Sequence, residues 1–352
     1  MRGKRDLSQK LNNILYFLAG VLAVVVVGIF FINMQTNAVG TENNDYLENQ
    51  ATNSKSSDKT SGQEKWQEGV IEYKGQNYKF NTDLDVYLLM GIDNDNPVET
   101  APDYVSGGQS DAIFLLISDS ENKKLSIVSV NRNTMTDIEV YDETGKSLGT
   151  IQGQICGQHG FGDGKKLSCS RTVTAVSKMF NNLPISGYMS INMGAIGDIN
   201  DAVGGVELTV MQDIVSESKG VNLVAGETKT LSGNEAYCYL RSRDITQFES
   251  ATDRLRRQEQ YLNAFIAKFQ SQSEANSALA LSIYNSSADY LVTNVQFTEL
   301  VETLMGYEYS PDRMYTVPGE TVKGDDYEEF YIDEDAFNDL MIKLFYTKVD
   351  NK

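Results

Sequence analysis

Five of the ten arginines in this 352-residue chain fall within one short stretch: Arg241, Arg243, Arg254, Arg256 and Arg257. The chain as a whole is acidic, with 49 Asp and Glu against 30 Lys and Arg and a net charge of −19. A guanidinium offers a planar fork of donors that suits two phosphate oxygens at once. The cluster therefore predicts a phosphate-rich ligand. The competing reading is a helix face laced with salt bridges, since Asp244, Glu249, Asp253 and Glu259 stand nearby. Helical phase sorts the arginines. Over 253–270, Leu255, Leu262, Ile266 and Phe269 share an apolar stripe at the 3.6-residue period. Arg254, Gln258 and Tyr261 lie on one flank of it with Arg257 beside them, while Arg256 points to the opposite, solvent side. Thr252 suits the N-cap of this helix. Arg241 and Arg243, two apart, can reach a single site.

Three further charged residues sit where strands end. The segments 86–92, 112–117 and 125–130 are nearly continuous apolar runs, as expected of central strands buried on both faces. Asp93 closes the first, Asp111 opens the second and Arg132 follows the third. An acid at a strand end often does no more than begin a solvated loop. Three charged residues at the ends of neighbouring strands, beside an arginine cluster, predict a binding site. The elements that must hold them include a hairpin over 70–80 and helices at about 171–181, 194–203, 233–241, 253–270, 276–286 and 333–347. Short strands are expected at 188–191 and 206–210. Strands mixed with helices in this way predict an α/β fold, its central sheet covered on both faces.

The N-terminal part places the domain in space. Residues 14–32 are apolar and uncharged, close to the roughly 20 residues that span a bilayer, and predict a membrane anchor over 14–33. The polar residues at the end of this run, Asn33 to Asn37, make a poor cleavage site for a secretory signal. Arg2, Lys4, Arg5 and Lys10 precede the span against Asp6 alone, so the tail 1–13 is expected inside and the remainder outside. Residues 34–66 are polar and read as a flexible linker. Residues 67–352 are then one extracytoplasmic domain, more acidic than the whole chain. Such a body repels nucleic acid, whose binding rests on neutralised phosphates.

Cysteine is sparse: Cys156, Cys169 and Cys238. Cys156 and Cys169 share a glycine-rich segment on the oxidising side of the membrane, so they are the candidate disulfide. Cys238, among Ala236, Tyr237 and Leu240, reads as a buried small hydrophobe. His159 is the one histidine. A zinc site from Cys156, His159 and Cys169 matches no common spacing, and a lone histidine gives little support to a Ser-His nucleophile.

The stretches LLMGIDN (88–94), GQSDAIFLLIS (108–118), LSIVSVNRNTMTDI (125–138), NDAVGGVELTV (200–210), LSGNEAYCYLRSRD (231–244) and DRLRRQ (253–258), in this order, resemble the LytR-CpsA-Psr family of cell-wall transferases. With the basic tail, anchor and spacer, the resemblance covers nearly the whole chain. It implies a three-layer α/β/α sandwich with a central mixed sheet. It also implies an extracytoplasmic phosphotransferase, which moves a glycopolymer with one phosphate from polyprenyl pyrophosphate to a peptidoglycan hydroxyl. By this resemblance Arg132, Arg241, Arg243, Arg254 and Gln258 bind pyrophosphate, and helical phase adds Arg257 to the same site. Asp93 and Asp111 are associated with Mg²⁺, and an apolar groove takes the lipid. Asp93 is placed to take the acceptor proton as well. Three positions depart from the family pattern. Gln109 stands where an arginine is usual, Asn133 where an acid is usual, and Ala251 where an acid commonly precedes the helix arginine, with Asp253 displaced to one residue before it. A non-catalytic sensor of lipid pyrophosphate, or a hydrolase of the same bond, would use the same residues.

Overall fold

The computed structural model describes residues 69–273, 276, 279–295 and 307–349. The tail 1–13, the span 14–33 and the linker 34–66 lie outside the described residues. Among the described residues no helix is long and apolar enough to cross a membrane.

The chain enters through a hairpin, β1 (Val70–Tyr73) and β2 (Gln76–Phe80). It turns at Lys74 and Gly75, both at positive φ. Three long strands come next: β3 (Leu84–Ile92), β4 (Ser110–Asp119) and β5 (Lys124–Val130). A ribbon of β6 (Met135–Tyr141) and β7 (Ser147–Gln154) leads through a 3-10 turn, Ile155–Gly160, to α1 (Lys166–Met179). Then come β8 (Gly187–Asn192), α2 (Ile196–Ala202) and β9 (Val206–Thr209). A small hairpin of β10 (Ile214–Ser216) and β11 (Val221–Leu223) precedes β12 (Thr228–Leu231), which pairs back on β9. Three helices succeed it, α3 (Gly233–Arg241), α4 (Ser250–Ser273) and α5 (Leu279–Ser287), and then β13 (Leu291–Thr293). The chain closes with β14 (Met314–Thr316), the hairpin β15 (Gly319–Lys323) and β16 (Glu328–Ile332), α6 (Glu334–Phe345) and β17 (Tyr346–Val349).

The central sheet has the order β13-β8-β3-β4-β5-β14. It is mixed: β3 runs parallel to β8 and β5 to β14, while β3–β4, β4–β5 and β13–β8 are antiparallel. Residue alternation explains why the central strands read as unbroken apolar runs. Leu88, Met90, Ile113 and Leu115 enter one core with Val176 of α1 and Phe337, Met341 and Phe345 of α6. Tyr87, Phe114, Leu116 and Ile127 enter the other with Leu255 and Ile266 of α4. The result is a three-layer α/β/α arrangement. Full burial of each such side chain stabilises by about 1.5–3 kcal/mol. A further core joins α2, α3, α4 and α5 to β9 and the β10–β11 hairpin.

The helix expected over 333–347 ends at Phe345, because Tyr346 begins a strand that pairs with Phe80 of β2. Helix α4 begins at Ser250, two residues before the expected cap. Thr252 lies inside it and spends its hydroxyl on Asn131 Nδ2 (3.0 Å) and on Thr321 Oγ1 (3.1 Å).

Candidate active site

The site grows from a single irregularity in the sheet. Gly91 pairs with Ala112, but Ile92 pairs with Ser110, so Asp111 is the extra residue of a β-bulge. A bulge re-aims the side chain it carries. On the other side of β4, Ile113 pairs with Val130, which brings Arg132 alongside Asp111. Asp93 follows β3, its N–H donating to Gln109 O at 3.0 Å. Because β3, β4 and β5 alternate in direction, all three charged residues come to one sheet edge.

Two helices bring the remaining arginines there. Helix α3 starts with a capping box between Ser232 and Glu235 and carries Arg241 at its C-terminal end. Arg241 donates through Nε (3.2 Å) and Nη2 (3.0 Å) to Asp93 Oδ1. Helix α4 lays Arg254 over the sheet end, where Nη1 donates to Asp111 Oδ2 at 2.8 Å. Arg132 Nη1 lies 3.1 Å from Asp111 Oδ1, an ion-pair contact without hydrogen-bond geometry. Arg132 Nη2 donates to Gln109 Oε1 and to Cys156 Sγ, the latter at 2.8 Å. Asp93, Asp111, Arg132, Arg241 and Arg254 line a cleft of about 680 Å³, together with Arg243, Tyr237 and Lys219.

Electrostatics mark the cleft as a site for an anion. Asp111 and Arg254 are 5% and 4% exposed. Burial pulls the Arg254 guanidinium below its ordinary pKa, with Asp111 opposing. Burial works against charged Arg241 too, but Asp93 overrides it and holds the group above its ordinary value. Three buried polar atoms here lack a hydrogen-bond partner: Arg132 Nε, Arg254 Nη2 and Asp111 Oδ1. Such atoms are costly when unsatisfied. Two are donors, which suit phosphate oxygens. The third is a carboxylate acceptor, approached by Arg132 without hydrogen-bond geometry.

The family model for the LytR_cpsA_psr family matches residues 43–344. The chain belongs to this family. The chain is 28% identical over 262 residues to the polyisoprenyl-teichoic acid–peptidoglycan teichoic acid transferase TagV of Bacillus subtilis, covering 71% of this chain and 61% of TagV. It is 29% identical over 265 residues to the corresponding transferase TagU of Bacillus cereus, covering 73% and 76% of the two chains. The crystal structure of B. subtilis TagV superposes with a TM-score of 0.56 at 22% identity, over 75% of this chain and 96% of that one, which establishes the fold.

As a LytR_cpsA_psr member, the chain brings Asp93, Asp111, Arg132, Arg241, Arg243 and Arg254 to the cleft, and it leaves out two residues expected there. Arg257 is 1% exposed and does not line the cleft. Its Nε donates to Tyr239 O at 2.8 Å and its Nη2 to Ser242 O, so it caps the C-terminal end of α3. Burial lowers its pKa to about 10, which still leaves it charged at neutral pH. Gln258 does similar work from Nε2 to Leu240 O at 3.3 Å. Both tie α4 to α3 and so hold the arm that carries Arg241. Arg256 is exposed and pairs with Asp253 at 3.1 Å, as the helical phase predicts.

The expected Cys156–Cys169 disulfide is not formed: all three cysteines are free and buried. Cys156 sits in the 3-10 turn and meets Arg132, whereas Cys169 sits in α1 with its Sγ 3.8 Å from His159 Nε2. Burial pushes the Cys156 thiol up and that of Cys169 to about 12, so both are neutral thiols. Cys238 is buried in an apolar core. Among the departures, Gln109 buttresses Arg132, Asn133 O accepts from Phe330 N at 3.0 Å, and Ala251 is buried in the first turn of α4.

Tyr237 and Asp95 are the site residues that sequence reasoning missed. Tyr237 OH donates to Asp95 Oδ1 at 2.5 Å, and the Tyr237 ring centroid lies 5.7 Å from Arg241 Cζ. The signal was available in the i,i+4 spacing of Tyr237 and Arg241 on one helix face.

Proposed function

We propose that this chain is a membrane-anchored, extracytoplasmic phosphotransferase that moves a glycopolymer from polyprenyl pyrophosphate to peptidoglycan. The observation that carries the reading is the pair of unpartnered donors, Arg132 Nε and Arg254 Nη2, in a cation-lined cleft of an acidic protein. The names of the relatives support the substrate class, and the basic tail before an apolar run supports the topology. The match spans 61% of TagV's length.

In this reading Arg132, Arg254, Arg241 and Arg243 orient the pyrophosphate and neutralise charge that develops on its oxygens. The acceptor hydroxyl oxygen bonds to the phosphorus next to the glycan. The bond from that phosphorus to the bridging oxygen breaks, and the polyprenyl phosphate departs with its electrons. Asp93, held by Arg241, is the carboxylate placed to take the acceptor proton.

Asp93 and Asp111 offer hard oxygen donors at one cleft, and Asp111 Oδ1 lacks a hydrogen bond. No group of three or more His, Cys, Asp or Glu suited to a metal occurs among the described residues. Two carboxylates suit Mg²⁺ only as an ion that keeps waters and borrows phosphate oxygens. When bound it would neutralise pyrophosphate charge.

The test is turnover by the full-length protein in lipid nanodiscs, given a lipid-pyrophosphate-linked saccharide and peptidoglycan. The expected product is a phosphodiester between saccharide and glycan. Release of free phosphosaccharide would make the chain a hydrolase. Tight binding without turnover would make it a sensor.

A further inference from the structure

Lys219 enters the cleft from a wall that the sheet edge does not supply. It stands in the turn of the β10–β11 hairpin, a flap of two three-residue strands whose 3-10 turn, Glu217–Lys219, ends at the left-handed Gly220. The flap lines the cleft along with Arg132, Arg241, Arg243 and Arg254. Lys219 Nζ lies 4.1 Å from the ring centroid of Tyr237, the same ring that lies near Arg241. A cation over a tyrosine face is attracted by the ring's quadrupole. Tyr237 is itself fixed by its hydrogen bond to Asp95. Lys219 is thus held over the cleft by an aromatic face, and it makes no ion pair among the described residues.

Four arginines and a lysine around one cleft repel unless carboxylates or a bound anion stand close to each of them. Asp93 answers Arg241, and Asp111 is shared by Arg132 and Arg254. Asp213 and Asp244 also line the cleft, but among the described residues neither Arg243 nor Lys219 forms an ion pair. We propose that Lys219 is a further phosphate-contacting residue, which completes the arginine cluster from the flap side. The inference rests on the pyrophosphate reading above and adds a residue outside the arginine-rich segment. Its flexible stem and compact ammonium suit a point contact to one oxygen, in contrast to the fixed forks below.

The experiment uses full-length protein, Mg²⁺ and farnesyl pyrophosphate as the probe, with farnesol as the phosphate-free control. Lys219→Met should weaken farnesyl pyrophosphate binding about 10-fold, Lys219→Arg should retain most of it, and thermal melts should not move because the side chain is exposed. Farnesyl pyrophosphate should also shield the Lys219 amine from acylation, read by mass spectrometry against the other exposed lysines. If Lys219→Met binds the probe like the wild type while Arg254→Ala loses it, the Lys219 proposal is overturned and the pyrophosphate reading stands. An equal loss of farnesol affinity would overturn it too, because the contact would then be to lipid. Failure of the wild-type chain to bind farnesyl pyrophosphate would remove both.

Discussion

Arg254 donates to Asp111 at 2.8 Å with both side chains almost wholly enclosed. Arg132 approaches the other oxygen of the same carboxylate. One buried acid therefore holds two guanidinium groups that would otherwise repel. Removing one partner of a buried pair costs about 3–5 kcal/mol, because the charge left behind has no compensation. Asp111→Asn should show a loss in that range by urea denaturation. Arg254→Met should cost less, since Arg132 still compensates Asp111. A variant Asp111→Asn that unfolds at the wild-type midpoint would contradict this account of the triad.

His159 is fully buried, with Nδ1 3.1 Å from Gly108 O and Nε2 against the Cys169 thiol. Burial lowers its pKa below the ordinary 6.5, with the backbone contacts to Gly108 and Gly107 and the charge of Asp163 opposing. In the unfolded chain the imidazole takes up a proton near its ordinary pKa, while in the folded chain it stays neutral to lower pH. Unfolding thus binds protons in that window, and stability falls as pH drops through about 6.5 towards the depressed folded value. His159→Gln should flatten the pH dependence of the melting temperature between pH 7 and 5. The same slope in wild type and variant would show that another group is responsible.

The sheet, most of the helices and the strand-end residues were legible because their signals are local. An unbroken apolar run reports a strand covered on both faces, and the 3.6-residue period separates Arg254 from Arg256 without any tertiary knowledge. Helical phase alone sets Arg257 beside Arg254, on the side of the ligand site. Only the approach of α3 reveals that its partners are the carbonyls of Tyr239 and Ser242. Cys156 and Cys169 share a segment in sequence, yet a 3-10 turn and a helix aim them at Arg132 and His159. The β10–β11 flap, with strands of three residues each, carries too little pattern to be read.

Chelation tests the two-carboxylate ion. With only Asp93 and Asp111 from the chain, Mg²⁺ alone should bind weakly and tighten when pyrophosphate oxygens complete its shell. Calorimetry with Mg²⁺ alone should therefore give little heat. EDTA should abolish transfer, and added Mg²⁺ should restore it. Transfer that persists at the wild-type rate in EDTA would refute the ion's role.

Three neighbouring arginines on α4 should give three different phenotypes. Arg254 has an unpartnered Nη2 at the cleft, so Arg254→Ala should weaken pyrophosphate-lipid binding about 10- to 100-fold, the range for one charge-assisted bond. Arg254→Lys should not restore it, because the bidentate fork is gone. Arg256 faces solvent and pairs with Asp253, and such surface pairs contribute at most about 1 kcal/mol. Arg256→Ala should bind and melt like the parent. Arg257 satisfies two backbone carbonyls at the end of α3, so Arg257→Ala should lower stability by about 1–3 kcal/mol while the folded fraction keeps most of its affinity. The measurement is affinity per folded molecule beside a thermal melt for each variant. If Arg257→Ala loses affinity as steeply as Arg254→Ala at unchanged stability, Arg257 contacts the ligand and its place as a helix cap is wrong.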